Sequence, residues 1–379
     1  MLINKKATGP GLNASRQRRK NMIDSMRKRV TIGAVALIAL FGLRFVSAPA
    51  RAAEPASGLT IESIFDYDAE KHPANHASTI AQMPNGDLLA TWFAGSAEGK
   101  SDVAVWASRK PAGSDKWTAP APLIDEPGIA EGNSILFTDS KGKVYLFFVR
   151  KYDEKWAAWD KAKIFLQTSD DSGKTWTEPR LLLDEMGRMI RNNVIELPDG
   201  RLILPIYLDA EPVSSLIWIS SDGFKTWEER TAPLSKPSNL QPAVVSLGGE
   251  KLLMLCRNQG VPGKIWEIRS DDLGKTWTKP VKTKLPNPDS GIDMIRLKSG
   301  ALVLVYNNNQ FYRFPMTIAL SDDDGKTWKY KKDIETDKKE FSYPFLIQTD
   351  DGMIHLTYTA DDRRIIKHAI ISEEWLKSK

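Results

Sequence analysis

Beyond residue 53 the chain alternates short apolar, β-branched runs with turns, and stretches of helical period are scarce. The recurring turn is a tight hairpin with glycine at its tip: Pro84-Asn85-Gly86, Ser140-Lys141-Gly142, Pro198-Asp199-Gly200, Gly248-Gly249, Lys298-Ser299-Gly300 and Asp350-Asp351-Gly352. Each lies between strand-like runs, such as Val194 to Leu197 before Gly200 and Leu202 to Tyr207 after it, which is the pattern of paired antiparallel strands.

A second turn follows each of the first five hairpins. Ser169 to Trp176 reads SDDSGKTW, Ser270 to Trp277 SDDLGKTW and Ser321 to Trp328 SDDDGKTW. Ser220 to Trp227 (SSDGFKTW) puts Phe224 in the glycine place, and Ser108 to Trp117 is an expanded copy. The five tryptophans are 59, 51, 50 and 51 residues apart, and the six hairpin glycines 56, 58, 49, 51 and 52. A period near 50 built from four strands predicts an all-β, six-bladed β-propeller, with this box as the turn between third and fourth strands. Its Asp accepts backbone N–H groups, its Gly allows the turn, and its Trp fills the seam between units. The last unit lacks a box, so Leu59 to Phe65 is expected to supply its outer strand and close the ring.

Residues 1–53 stand outside this pattern. A basic start, an apolar run from Val30 to Leu43 and Ala50-Arg51-Ala52 predict an export signal cleaved near Ala52, with Met26 an alternative start and an uncleaved anchor the competing reading. The expected location is periplasmic or secreted, with the propeller domain over 54–379.

The leader also distorts the charge. It holds 11 of the 53 Lys+Arg and 1 of the 48 Asp+Glu, leaving 42 − 47 = −5 for the rest. Nucleic-acid binding loses its support, and no membrane association is expected after cleavage. The single cysteine, Cys256, lies in an apolar run and reads as a small buried hydrophobe. Four scattered histidines and no phosphate- or dinucleotide-binding fingerprint predict neither a metal site nor a cofactor.

In a propeller the innermost strands begin around a central funnel. Seven to ten places before the hairpin glycines stand His76, Asn133, Arg191, Gln241, Asp293 and Tyr343, and the return strands end at Arg150, Tyr207, Arg257, Asn307 and Tyr358. Polar groups at matching places in apolar repeats predict one pocket, although solvated strand ends would give the same pattern. Arg257 and Arg313, with Arg191 and Arg150 as supports, offer planar forks suited to a carboxylate. The expected partner carries an acid group.

The boxes, together with Asn75-His76-Ala77-Ser78-Thr79, Leu285-Pro286-Asn287-Pro288, Ser290-Gly291-Ile292-Asp293 and Ser342-Tyr343-Pro344, resemble the bacterial BNR-repeat branch of the sialidase superfamily. The resemblance implies that Arg257 and Arg313 match two of three carboxylate-holding arginines, with His76 in the place of the other. It makes Tyr343 the nucleophile, an exception among glycosidases, and Asp102 the acid/base, with Glu98 close by. It puts Gln241 where a glutamate would draw off the tyrosine proton.

Three functions compete. One is an exo-acting glycoside hydrolase on an acidic glycan. Another is a uronate lyase in which His76 and Tyr343 move the protons. The third is a binding propeller exposing Trp92, Trp156 or Trp159 to sugar faces.

Overall fold

A computed structural model describes residues 58–153 and 159–378 of the chain. The leader over 1–53 and Trp156 lie outside the described residues.

Six antiparallel sheets follow one another along the sequence, over 74–124, 130–181, 188–231, 239–286, 293–335 and 342–371. They are the six blades of a β-propeller, as the repeat count predicts. In the sixth, the strand Leu59–Ser63 pairs antiparallel with Ile365–Ile371, placing Glu62 opposite His368. The first strand of the fold therefore completes the last blade, and that edge is paired rather than open.

The box turns connect third to fourth strands in blades two to five. In the box beginning at Ser270, Asp272 accepts from the Thr276 backbone N–H (2.8 Å) and hydroxyl (2.6 Å), while Ser270 Oγ donates to Asp272 (2.8 Å) and accepts from Gly274 N–H (2.7 Å). Asp171, Asp222 and Asp323 repeat the scheme. The turn abuts the preceding blade. A Cβ at Gly274 would meet Ile217 at 3.1 Å, and one at Gly325 would meet Leu253 at 2.7 Å. In blade three that slot is filled instead: Phe224, at φ +61°, is fully buried and packs edge-on against Phe147 of blade two.

The cores lie between blades. Trp277 seals the seam of blades three and four, and Trp328 that of blades four and five. Cys256 is buried there, and burial pushes its thiol up to about 12. The expectation of a tryptophan platform fails at Trp92, which is fully buried, stacks on Phe65 and donates to Asn75. Trp159 is half-buried and donates through Nε1 to Glu98 (3.1 Å).

The inner strands share one irregularity that shapes the funnel. In blades one, two, four and six their register slips, between His76/Thr79, Gly132/Ile135, Leu240/Pro242 and Ser342/Phe345. At each slip one residue is left-handed: Ala77 (φ +56°), Asn133 (+40°), Gln241 (+49°) and Tyr343 (+53°). A bulge adds a residue to one strand and re-aims its side chain. Such backbone costs on the order of 1–3 kcal/mol per residue and collects at functional sites. In blade three the inner strand is interrupted between Arg188–Ile190 and Ile195–Glu196, and Arg191, Asn192, Asn193 and Val194 fill the gap.

Candidate active site

Tyr343 is the hub. Its hydroxyl accepts from Arg257 Nη1 (2.9 Å) and Gln241 Nε2 (3.1 Å). The guanidinium carbons of Arg191, Arg313 and Arg257 lie 5.0, 5.8 and 5.9 Å from the centre of its ring. Cations over an aromatic face are attracted by the ring's negative face, most strongly where water is excluded.

Gln241 links three groups. Its Oε1 accepts from Arg257 Nη1 (2.9 Å), and its Nε2 also approaches Tyr207 Oη (3.4 Å). Asn133 Nδ2 donates to the same Tyr207 hydroxyl (3.4 Å). Burial raises the Tyr207 phenol far above its ordinary range. Tyr207 is thus a neutral support beneath Gln241.

Arg257 spends Nε and Nη2 on Asp289, both at 2.8 Å. Burial works against its charge, but Tyr343 and Asp289 outweigh it and raise the pKa. Arg313 donates to Glu340 (2.8 Å) and to the Asp289 carbonyl (3.0 Å).

His76 packs against Tyr343 with ring centres 4.2 Å apart, and its Nδ1 meets Thr359 Oγ1 at 2.9 Å. Its Nε2 is buried without a hydrogen-bond partner among the described residues. Burial, then the charges of Arg363, Arg313, Arg191 and Arg257, hold the imidazole well below its usual pKa. It is neutral at physiological pH. By strict count from the hairpin, the bulge position of blade one is Ala77, so His76 reaches the tyrosine from one place earlier.

Two of the expected ligand contacts are engaged by protein partners. Asp293 is fully buried and accepts from Asn192 (3.0 Å), Asn193 (2.7 Å) and the Leu346 N–H (2.7 Å). Burial lifts its carboxyl to about 6. It ties blades three, five and six at the funnel floor. Arg191, 2% exposed, lies under the Tyr343 and Phe345 rings and donates to the Pro344 carbonyl (3.0 Å). Arg150 is also committed elsewhere, to Glu131 at 2.9 Å.

The loop after the first hairpin carries Glu98 and Asp102. Asp102 is exposed, and both its oxygens accept from Ser96, at 2.9 and 2.8 Å. Its neighbour Val103 packs in one cluster with Tyr343, Ala77 and Phe93, which sets this loop at the funnel. Glu98 reaches further in, accepting from Arg363 Nη1 at 2.7 Å.

Arg363 is a site residue that spacing misses. It sits in the turn after the sixth blade's second strand, where Asp361, Asp362 and Arg363 are all left-handed (φ +51°, +56°, +69°). Its carbonyl accepts from Asn75 N–H (2.7 Å), beside His76. Its Nε approaches both oxygens of Glu340 (3.3 and 3.4 Å). Asp289 and Glu340, the countercharges, also escape the repeat count because they sit in inter-blade loops. Asp209, in the loop between the second and third strands of blade three, is raised to about 6 by burial against the opposing pull of Arg257.

Residues 86–356 match the family described as BNR repeat-like domain. This chain belongs to that family, within the sialidase superfamily. A sialidase from Bacteroides fragilis strain YCH46 is 26% identical over 240 residues, which are 57% of this chain and 43% of that protein. The chain thus spans less than half the length of that curated relative. Among solved structures, the Hadza microbial sialidase Hz136 superposes with TM-score 0.71 at 18% identity, covering 82% of this chain and 68% of the other. The NanB sialidase from Streptococcus pneumoniae gives 0.70 at 14%, covering 83% and 71%. A protein of unknown function from Dyadobacter fermentans is covered over its full length, with 84% of this chain, at TM-score 0.69 and 17% identity. These likenesses establish the fold of this BNR repeat-like protein as that of the sialidase propellers.

Proposed function

We propose that this BNR repeat-like protein is a sialidase-like glycoside hydrolase that removes a terminal acid-bearing sugar from a glycan. The observation that carries the reading is Tyr343: a hydroxyl at the funnel, 2.9 Å from a guanidinium nitrogen and surrounded by three arginines. Positive charge preorganised at the reacting atoms stabilises an anionic oxygen and grips an anionic sugar. In this reading Tyr343 is the nucleophile or charge stabiliser and Asp102 the acid/base, with Glu98 close by.

Gln241 cannot accept the tyrosine proton as a carboxylate would. The group beside the phenol with a free nitrogen is His76, neutral and with Nε2 unpartnered. That observation also favours the second reading, a uronate lyase in which neutral His76 takes the proton beside the carboxylate and Tyr343 protonates the leaving oxygen.

A panel of sialosides and uronic-acid oligosaccharides, followed by reducing-end release and ultraviolet absorbance, separates the two. Reducing ends without absorbance support hydrolysis, and absorbance of an unsaturated product supports the lyase. Glycan binding with neither signal would leave a binding propeller and end both. The leader supports an exported enzyme; fractionation of cells expressing the full chain, with N-terminal sequencing of the product, tests cleavage near Ala52.

A further inference from the structure

We propose that the ligand's acid group is held between Arg313 and Arg363, while Arg257 is reserved for Tyr343. The inference rests on the acidic-glycan reading above and changes which residues do the gripping. It replaces the sequence expectation of an Arg257–Arg313 pair.

A guanidinium has five N–H groups. Arg257 uses Nε and Nη2 on Asp289 and both hydrogens of Nη1 on Gln241 and Tyr343, so four of five are engaged. Its side chain is 12% exposed. Arg313 uses two, one to Glu340 and one to the Asp289 carbonyl. Arg363 also uses two, Nη1 to Glu98 and Nε to Glu340. Their side chains are 22% and 30% exposed, so this pair is more open to solvent than Arg257.

Glu340 shows that the two forks converge. Its Oε1 lies 2.8 Å from Arg313 Nη1 and 3.3 Å from Arg363 Nε, and Ser342 Oγ donates to it at 2.7 Å. One carboxylate therefore already bridges both arginines, and a second from solvent meets the unspent N–H groups on the same pair. The Arg363 carbonyl accepts from the N–H of Asn75, next to His76, whose ring packs on Tyr343, and this places Arg363 on the Tyr343 side of the funnel. Planar forks bind carboxylates bidentately, which a lysine cannot reproduce.

The test uses the full chain and two acid probes, N-acetylneuraminate and glucuronate, with glucose as the neutral control, titrated by calorimetry at low salt. Arg363→Met is expected to weaken binding of the acid probe by roughly tenfold or more, the range for losing a charge-assisted hydrogen bond. Glucose binding should not change. Arg363→Lys should recover part of the affinity, and Glu98→Gln, which removes a countercharge from Arg363, should tighten it. Circular dichroism reports folding, and if Arg363→Met does not fold, the other two variants carry the test. A folded Arg363→Met protein that binds the acid probes within twofold of wild type, or a Glu98→Gln protein with weakened acid binding, overturns the assignment and leaves the acidic-glycan reading standing. If wild type binds neither acid probe, that reading falls and the assignment with it.

Discussion

Gln241 Nε2 stands 3.1 Å from the Tyr343 hydroxyl, so the oxygen is offered a donor where a carboxylate would have been an acceptor. Replacing the amide by a carboxylate of the same shape reverses that relationship. The neighbouring Arg257, already 2.9 Å from Gln241 Oε1, would neutralise the new charge. Gln241→Glu is therefore expected to raise kcat on an aryl sialoside by about a hundredfold, the lower end of the range for a positioned base. Equal or lower kcat in a folded variant would argue that His76, not position 241, handles the proton.

Tyr343→Phe removes the oxygen and leaves the ring that the arginines flank. Turnover should fall by about a hundredfold or more. Stability should fall only slightly, because Arg257 keeps Gln241 and Asp289 as acceptors. Steady-state kinetics and a urea titration on the same preparation measure both. Turnover within threefold of wild type would remove Tyr343 from the chemistry.

His355 and His368 form a buried pair, Nδ1 to Nε2 at 2.8 Å, behind the closure strand, and His368 Nδ1 meets Glu62 at 2.9 Å. Burial, then the neighbouring His368, lowers His355 to about 4, with Lys110 acting the same way and Asp351 and Glu62 opposing. The folded pKa lies below the unfolded one, so the unfolded chain binds the proton that the fold refuses. Stability is fully present above about pH 6.5 and drains as pH falls toward 4, by about 3 kcal/mol for this group. Glu62, lowered to about 2 by hydrogen bonds from His368, Lys110 and Trp117 that outweigh burial, keeps its charge throughout that window. Urea midpoints at pH 7, 5.5 and 4.5 should decline in wild type and decline less in His355→Gln. Parallel declines would refute the assignment.

Phe224→Gly sets two effects against each other. Glycine relieves a left-handed backbone at φ +61°, a gain on the order of 1 kcal/mol. It also deletes a fully buried ring packed on Phe147. Phenylalanine truncations of this kind cost about 3–5 kcal/mol. The cavity should win, with a net loss of about 2–4 kcal/mol in chemical denaturation. A stabilised variant would show that the seam collapses onto the glycine.

The repeat, the blade count, the closure by the first strand and the depth of Cys256 are all legible in the sequence, because each rests on local periodicity. Apolar alternation and turn chemistry recur every 50 residues or so, and a strand's register follows from them. Counting from hairpins also places Tyr343, Gln241, Arg257 and His76 at one funnel. What counting cannot supply is what each side chain spends its hydrogen bonds on.

Only the tertiary structure decides that Asp293 and Arg191 are floor and underlayer, that Arg257 is committed to Tyr343, Gln241 and Asp289, and that Trp92 is core. It also brings in Arg363, from a turn in the sixth blade, beside a strand of the first. Those residues are 288 positions apart (363 − 75), and no period links them. A ring closed on itself makes its two ends neighbours, so the chemistry at that seam is set by closure and packing rather than by any pattern along the chain.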